Sequence, residues 1–229
     1  MTLEILYQDE HIVAINKPAG LLVHRTPMAR DAKLFALQEL RNQLGRHVYP
    51  AHRLDRKTSG VLLFSFAADV DALLKKQFEN RAPKKTYWTI VRGYTSEEGI
   101  IEKPLAKDNG ELQDAITYYK KLKQVQLDIP VSKYPTTRLS FLEVKPETGR
   151  MHQIRKHMAH IRHYIIGDKP HGDCKINKVF EEKLGLYNML LHAKELSFIH
   201  PITKEEIKIE ASIPEHFQNI LNLFDNELG

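Results

Sequence analysis

One carboxylate in this chain stands inside a run of cations: His52-Arg53-Leu54-Asp55-Arg56-Lys57-Thr58-Ser59-Gly60. Arg53, Arg56 and Lys57 would hold Asp55 ionised and draw a polyanion to the same spot. Thr58-Ser59-Gly60 closes a turn, and Val61-Leu62-Leu63-Phe64 is a continuous apolar run of the kind a buried strand shows. Asp55 is therefore expected on a loop feeding a rigid strand, where catalytic groups concentrate. Judged by residue types alone, a solvated acid in a charged turn stays open as the other reading.

A second segment dense in chemistry runs from Thr148 to His163. Met151, Ile154, Met158 and Ile161 recur at helical spacing and predict the buried stripe of an amphipathic helix, with Gly149 and Arg150 at its start. Backbone amides at such a start, with Arg150 close by, suit a phosphate or a neighbouring loop. Arg155 falls near the edge of the stripe, from which a long side chain can reach an acid on an adjacent loop. The same spacing also fits Arg150, Arg155 and Lys156 as a solvated basic face. A third candidate, Tyr87, lies in Lys84-Lys85-Thr86-Tyr87-Trp88-Thr89-Ile90-Val91, a strand pattern in which Tyr87 and Trp88 point to opposite sides and one of them is expected in the core.

The histidines at 152, 157, 160 and 163 invite a metal reading. On a helix His152 and His157 diverge by about 140°, since each residue advances roughly 100°. His160 and His163 are one turn apart, but no supporting Cys or Glu pattern accompanies them, so no metal site is expected. No glycine-rich phosphate loop or dinucleotide fingerprint occurs either, and no cofactor is expected.

The elements that must position these residues are of both kinds. Leu3–Tyr7 and His11–Ile15 read as a hairpin. Leu34, Leu37, Leu40 and Leu44 predict a helix stopped by Gly45. A second helix is expected over Asp69–Arg81, with Val70, Leu73, Leu74 and Phe78 inward and Pro83 beyond its end. Arg138–Val144 alternates as a strand, Lys107–Gln113 reads as a polar surface loop, and Pro214 opens a last helix with Phe217, Ile220, Leu221 and Phe224 on one face. At 229 residues, one domain over 1–229 is expected. The net charge of +5 and a pI near 9.1 favour an anionic partner such as nucleic acid. The single cysteine, Cys174, leaves no internal disulfide framework; with no apolar leader or membrane-length run, a cytoplasmic protein is expected.

The motif pieces, taken in order, resemble the RluA-type pseudouridine synthase family: Asn16-Lys17-Pro18-Ala19-Gly20 with Leu21-Leu22-Val23-His24, then HRLD and TSG around Asp55, Lys85-Thr86-Tyr87, Thr148–Arg155, Ile166-Gly167-Asp168 and Leu191-His192-Ala193. The resemblance implies an α+β fold, a central mixed, mainly antiparallel sheet flanked by helices and loops, with no appended N-terminal RNA-binding domain. It implies that Asp55 is the catalytic carboxylate, that Arg155 pairs with it, and that Tyr87 stacks on the target uracil. Attack on the sugar, addition to the ring and removal of a ribose proton are all open to Asp55. It further implies RNA contacts by Arg53, Arg56, Lys57, Lys85, Arg150, His152 and Lys156, with Arg53 filling the gap left by an extruded base. His24-Arg25, Tyr134–Arg138 and Ile165–Asp173 are similar to a branch that modifies uridine 65 of tRNA. The expected partner is thus tRNA, met by a monomer needing no protein partner and no membrane. Large-subunit ribosomal RNA is the alternative substrate, and a non-catalytic RNA-binding module, which would not need Asp55, the alternative class.

Overall fold

A computed structural model describes residues 1–24, 34–107 and 109–225; Arg25 and Asp108 lie outside them. In chain order the elements are β1 (Glu4–Gln8), β2 (Ile12–Lys17), α1 (Ala36–Leu44), β3 (Tyr49–Pro50), β4 (Ser59–Ser65), α2 (Ala68–Glu79), β5 (Lys84–Arg92), β6 (Glu98–Glu102) and β7 (Leu105–Ala106). There follow β8 (Leu112–Gln113), β9 (Ile116–Leu127), β10 (Thr137–Pro146), α3 (Gln153–His160), α4 (Cys174–Leu184), β11 (Leu191–Ile199), β12 (Glu206–Glu210), α5 (Glu215–Leu221) and a 3-10 turn at Asn222–Phe224. The architecture is α+β. The chain divides into two compact units, Met1–Lys85 with Ala193–Ser212, and Thr86–His192 with Ile213–Gly229.

In the first unit, the expected hairpin forms as β1 and β2, and β2 pairs antiparallel with β4. That register sets Lys17 opposite Gly60 and Val13 opposite Phe64, so the end of the Asn16–Gly20 motif meets the end of the Asp55 segment. Every residue of β4 is buried, as its unbroken apolar run requires. Val61 and Leu63 join Val70 and Leu74 of α2 and Leu196 and Phe198 of β11 in one core, each such side chain contributing about 1.5–3 kcal/mol on burial. Leu73, expected inward, is 42% exposed, and Asp71 is buried on the helix instead. In α1, Ala36 and Leu40 are the buried residues and Leu34 lies outside the helix, while Gly45 ends it in the left-handed conformation as expected.

The second unit holds the antiparallel order β5-β10-β9-β6 and a two-stranded β7–β8 pair that interrupts the expected loop. Helices cover both of its faces. Trp88, Ile90, Leu139 and Phe141 pack with Phe180 of α4 and Phe217 and Ile220 of α5, whereas Tyr87, Val91, Leu142 and Val144 pack with Ile154 and Met158 of α3. Burial on both faces is why β10 is mostly buried rather than half-exposed in alternation. Pro214 caps α5 as expected.

Candidate active site

Asp55 begins a turn closed by the Thr58 amide donating to its carbonyl at 3.1 Å. Around it Arg53, Arg56 and Lys57 are exposed, Asp55 itself is half-buried, and Thr58, Ser59 and Gly60 are buried. Gly60 has φ +109°, and a Cβ there would lie 2.2 Å from the carbonyl oxygen of Ala193. Two motif pieces far apart in sequence therefore meet where only glycine fits.

The turn is stitched to the Lys17–Leu21 loop. Gly20 donates its amide to the Arg56 carbonyl at 2.8 Å, and Arg56 Nε returns a bond to the Gly20 carbonyl at 3.1 Å. Beneath both lies Lys17, fully buried, whose Nζ donates to the carbonyls of Leu21, Pro18 and Arg56 at 2.8, 2.9 and 3.3 Å. Burial pushes its pKa down to about 7, against the pull of the Asp55 carboxylate. Sequence reasoning missed Lys17, because a lysine beside Pro and Gly reads as a solvated loop residue. His52 moors the other end of the turn: its Nε2 accepts from the Leu63 amide at 3.2 Å and its ring stacks on Phe78. Burial and the nearby Lys85 ammonium push its pKa down to about 4, which suits a neutral acceptor.

In the second unit, Thr148–His152 is a turn and the helix starts only at Gln153. This corrects the expected start at Gly149 and Arg150, and Met151, expected inward, is 42% exposed. The cause is the buried Gln153 amide. Its Oε1 accepts from the Thr148 hydroxyl and the Arg150 amide, and its Nε2 donates to the Ile116 carbonyl and Thr117 Oγ1. The Arg150 amide offered to a phosphate is thereby already engaged, and Arg150 Nε donates to the Asp114 carbonyl at 3.1 Å. His152 follows with φ +56°.

Arg155 is buried rather than at the stripe's edge, only 5% exposed. Its Nε and Nη2 each donate at 2.8 Å to the two oxygens of Asp168, itself 1% exposed. Sequence reasoning quoted Asp168 as part of a motif and gave it no role; a buried arginine one element away was the missing signal. His152 Nδ1 and His171 Nε2 lie 2.9 Å apart, and the His171 amide donates to Asp168 Oδ1 at 3.3 Å. His157 is a core group: Nε2 donates to the Lys103 carbonyl, so Nδ1 accepts from the Thr117 hydroxyl. Tyr87 and Trp88 do face opposite sides, and both are half-buried against separate cores. Lys156 is half-buried. Lys85, in the first unit, is likewise half-buried, and burial followed by the Arg81 charge lowers its pKa to about 8.

A carboxylate set in a locked, cation-flanked turn and a buried guanidinium held by a second carboxylate belong to a fold that solved structures share. Human RNA Pseudouridylate Synthase Domain Containing 4 superposes with a TM-score of 0.76 at 25% identity, covering 97% of this chain and 93% of that one. Human RNA Pseudouridylate Synthase Domain Containing 1 gives 0.74 at 21% identity, covering 93% and 84%, which speaks to fold alone. Residues 11–160 match the family described as RNA pseudouridylate synthase, and the chain belongs to that family of isomerases, in its RluA-type branch. Proteins named tRNA pseudouridine synthase C are similar over nearly the full length. The one from Vibrio parahaemolyticus is 46% identical, covering 97% of this chain and 95% of its own. The one from Pasteurella multocida is 46% identical over 100% and 99%.

Proposed function

We propose that this pseudouridine synthase acts on tRNA, at uridine 65, with Asp55 as its catalytic carboxylate. In the reaction the bond from ribose C1′ to uracil N1 breaks and the base turns. A bond from C1′ to C5 then forms, the C5 proton leaves and N1 gains one. No electron carrier or group donor is consumed. Asp55 acts at the ribose or the ring, Arg155 favours its ionised form, and Tyr87 stacks on the extruded base. Arg53, Arg56, Lys57, Lys85, Arg150, His152 and Lys156 contact RNA, and the enzyme works as a cytoplasmic monomer without a protein partner. Among the described residues no helix is long and apolar enough to cross a membrane.

The observation that carries the catalytic assignment is the Asp55 turn. It is fastened by a fully buried lysine, a mooring histidine and a glycine that no other residue can replace, a cost in design that a solvated surface acid does not require. The substrate assignment draws on relatives named for tRNA at 46% identity. The test is to incubate the protein with tRNA and large-subunit ribosomal RNA transcripts and map any pseudouridine. Modification of tRNA at position 65 is expected; modification of the ribosomal transcript alone would overturn the substrate, and of neither, the activity.

A further inference from the structure

Resting on the reading of Arg155 as part of the catalytic machinery, we propose that Asp168 is a positioning residue for the reaction, setting the plane and direction of the Arg155 guanidinium. Arginine has a flexible stem and a flat fork of donors, so a catalytic use requires something to fix the fork. Asp168 does so on the Nε–Nη2 edge, with both bonds at 2.8 Å and both partners out of water. The orientation of the Nη1 edge follows from that contact.

Asp168 is in turn held from three sides, all within the second unit. Asn177 Nδ2 donates to its backbone carbonyl at 2.8 Å, while Asn177 Oδ1 accepts from the Gly167 amide at 2.8 Å. The His171 amide reaches its Oδ1, and a Cβ on Gly172 would lie 1.9 Å from its carbonyl oxygen. Asn177 lies on α4, whose N-cap Asp173 accepts from the Lys175 amide, so the loop is anchored to a capped helix. A surface ion pair would need none of this: exposed pairs hold their geometry loosely and contribute little. Desolvation offsets much of the attraction within a buried ion pair, so stability alone is weak ground for keeping one here.

The test measures kcat and KM for tRNA in four variants, with unfolding followed in parallel. Asp168→Asn keeps shape but sets an amide against the fork, and kcat should fall about tenfold to a hundredfold with KM for tRNA little changed. Arg155→Lys, which keeps the charge and loses the fork, should show a similar fall. Their combination should be no worse than the poorer single variant by more than about threefold, because Asp168 has no fork left to orient. Asn177→Ala should show a smaller loss of kcat, and decides the matter if Asp168→Asn does not fold. If Arg155→Lys is impaired while Asp168→Asn, or failing it Asn177→Ala, keeps wild-type kcat, or if the losses multiply in the double variant, the positioning role is overturned and the function stands. If Arg155→Lys is fully active, or the wild type forms no pseudouridine, the parent reading falls and takes this role with it.

Discussion

Lys17 Nζ donates to the carbonyl of Arg56 at 3.3 Å, one residue past the carboxylate Asp55, from a position with no exposure to water. The Asp55 turn is thus tied from beneath by a buried amine. Such an arrangement has consequences for both stability and chemistry.

The first consequence is a pH dependence of stability. Folding lowers the Lys17 pKa from 10.5 to about 7, so between those values the unfolded chain binds more protons at this site than the folded one. The contribution of this residue is fully present above its unfolded pKa and is lost as pH falls through about 7. Urea unfolding of wild type and Lys17→Met at pH 7, 8 and 9 should show wild type gaining relative to the variant as pH rises, by at most about 1.4 kcal/mol per unit. A constant difference would mean that Lys17 does not titrate in this window.

Removing Arg155 should be costly in a specific way. Arg155→Met leaves Asp168 buried without its partner, and stability should drop by about 3–5 kcal/mol. Pairing it with Asp168→Leu should restore most of the stability and none of the turnover. Thermal or urea unfolding of the two variants checks the first half; equal stability of both would show that the buried pair is not the source.

Tyr87→Leu should slow turnover far more than it weakens tRNA binding, since stacking is worth about 1–3 kcal/mol per base and phosphate contacts made elsewhere survive. Filter binding and single-turnover kinetics on the same tRNA separate the two. A parallel loss of both would make Tyr87 an ordinary core residue.

Much of the scaffold was legible in the residue pattern because period and punctuation agreed with the fold. The hairpin of β1 and β2, helix α2 and the Pro214-capped α5 are set by local spacing, and they fall where it puts them. The start of α3 was not legible, because Gln153 fixes it through bonds to Thr148 and to Ile116 and Thr117 on β9, residues distant in sequence. The burial of Lys17 and the pairing of Arg155 with Asp168 escaped for the same physical reason, although Arg155 itself was singled out as a site residue. Charged side chains are read as solvated unless a partner is known, and their partners, backbone carbonyls in one case and Asp168 in the other, are supplied only by tertiary structure.

RNA binding should be steeply salt-dependent, because lysine and arginine contacts to phosphate release counterions. Replacing Lys57 or Lys156 singly should reduce the slope of log affinity against log salt by about one or less. Lys85, with its pKa lowered to about 8, should lose its share as pH rises from 7 to 9, and Lys85→Ala should remove that difference. An affinity unaffected by salt would contradict a basic binding face.

The central claim, that Asp55 carries the isomerisation, is tested most directly by tritium release from tRNA labelled at C5 of uridine, since every turnover expels that hydrogen. Asp55→Asn keeps the shape of the turn and removes its charge and basicity. Folded and tRNA-binding as wild type, it should release tritium at least about a hundredfold more slowly. Release within about tenfold of wild type would show that another group does the chemistry.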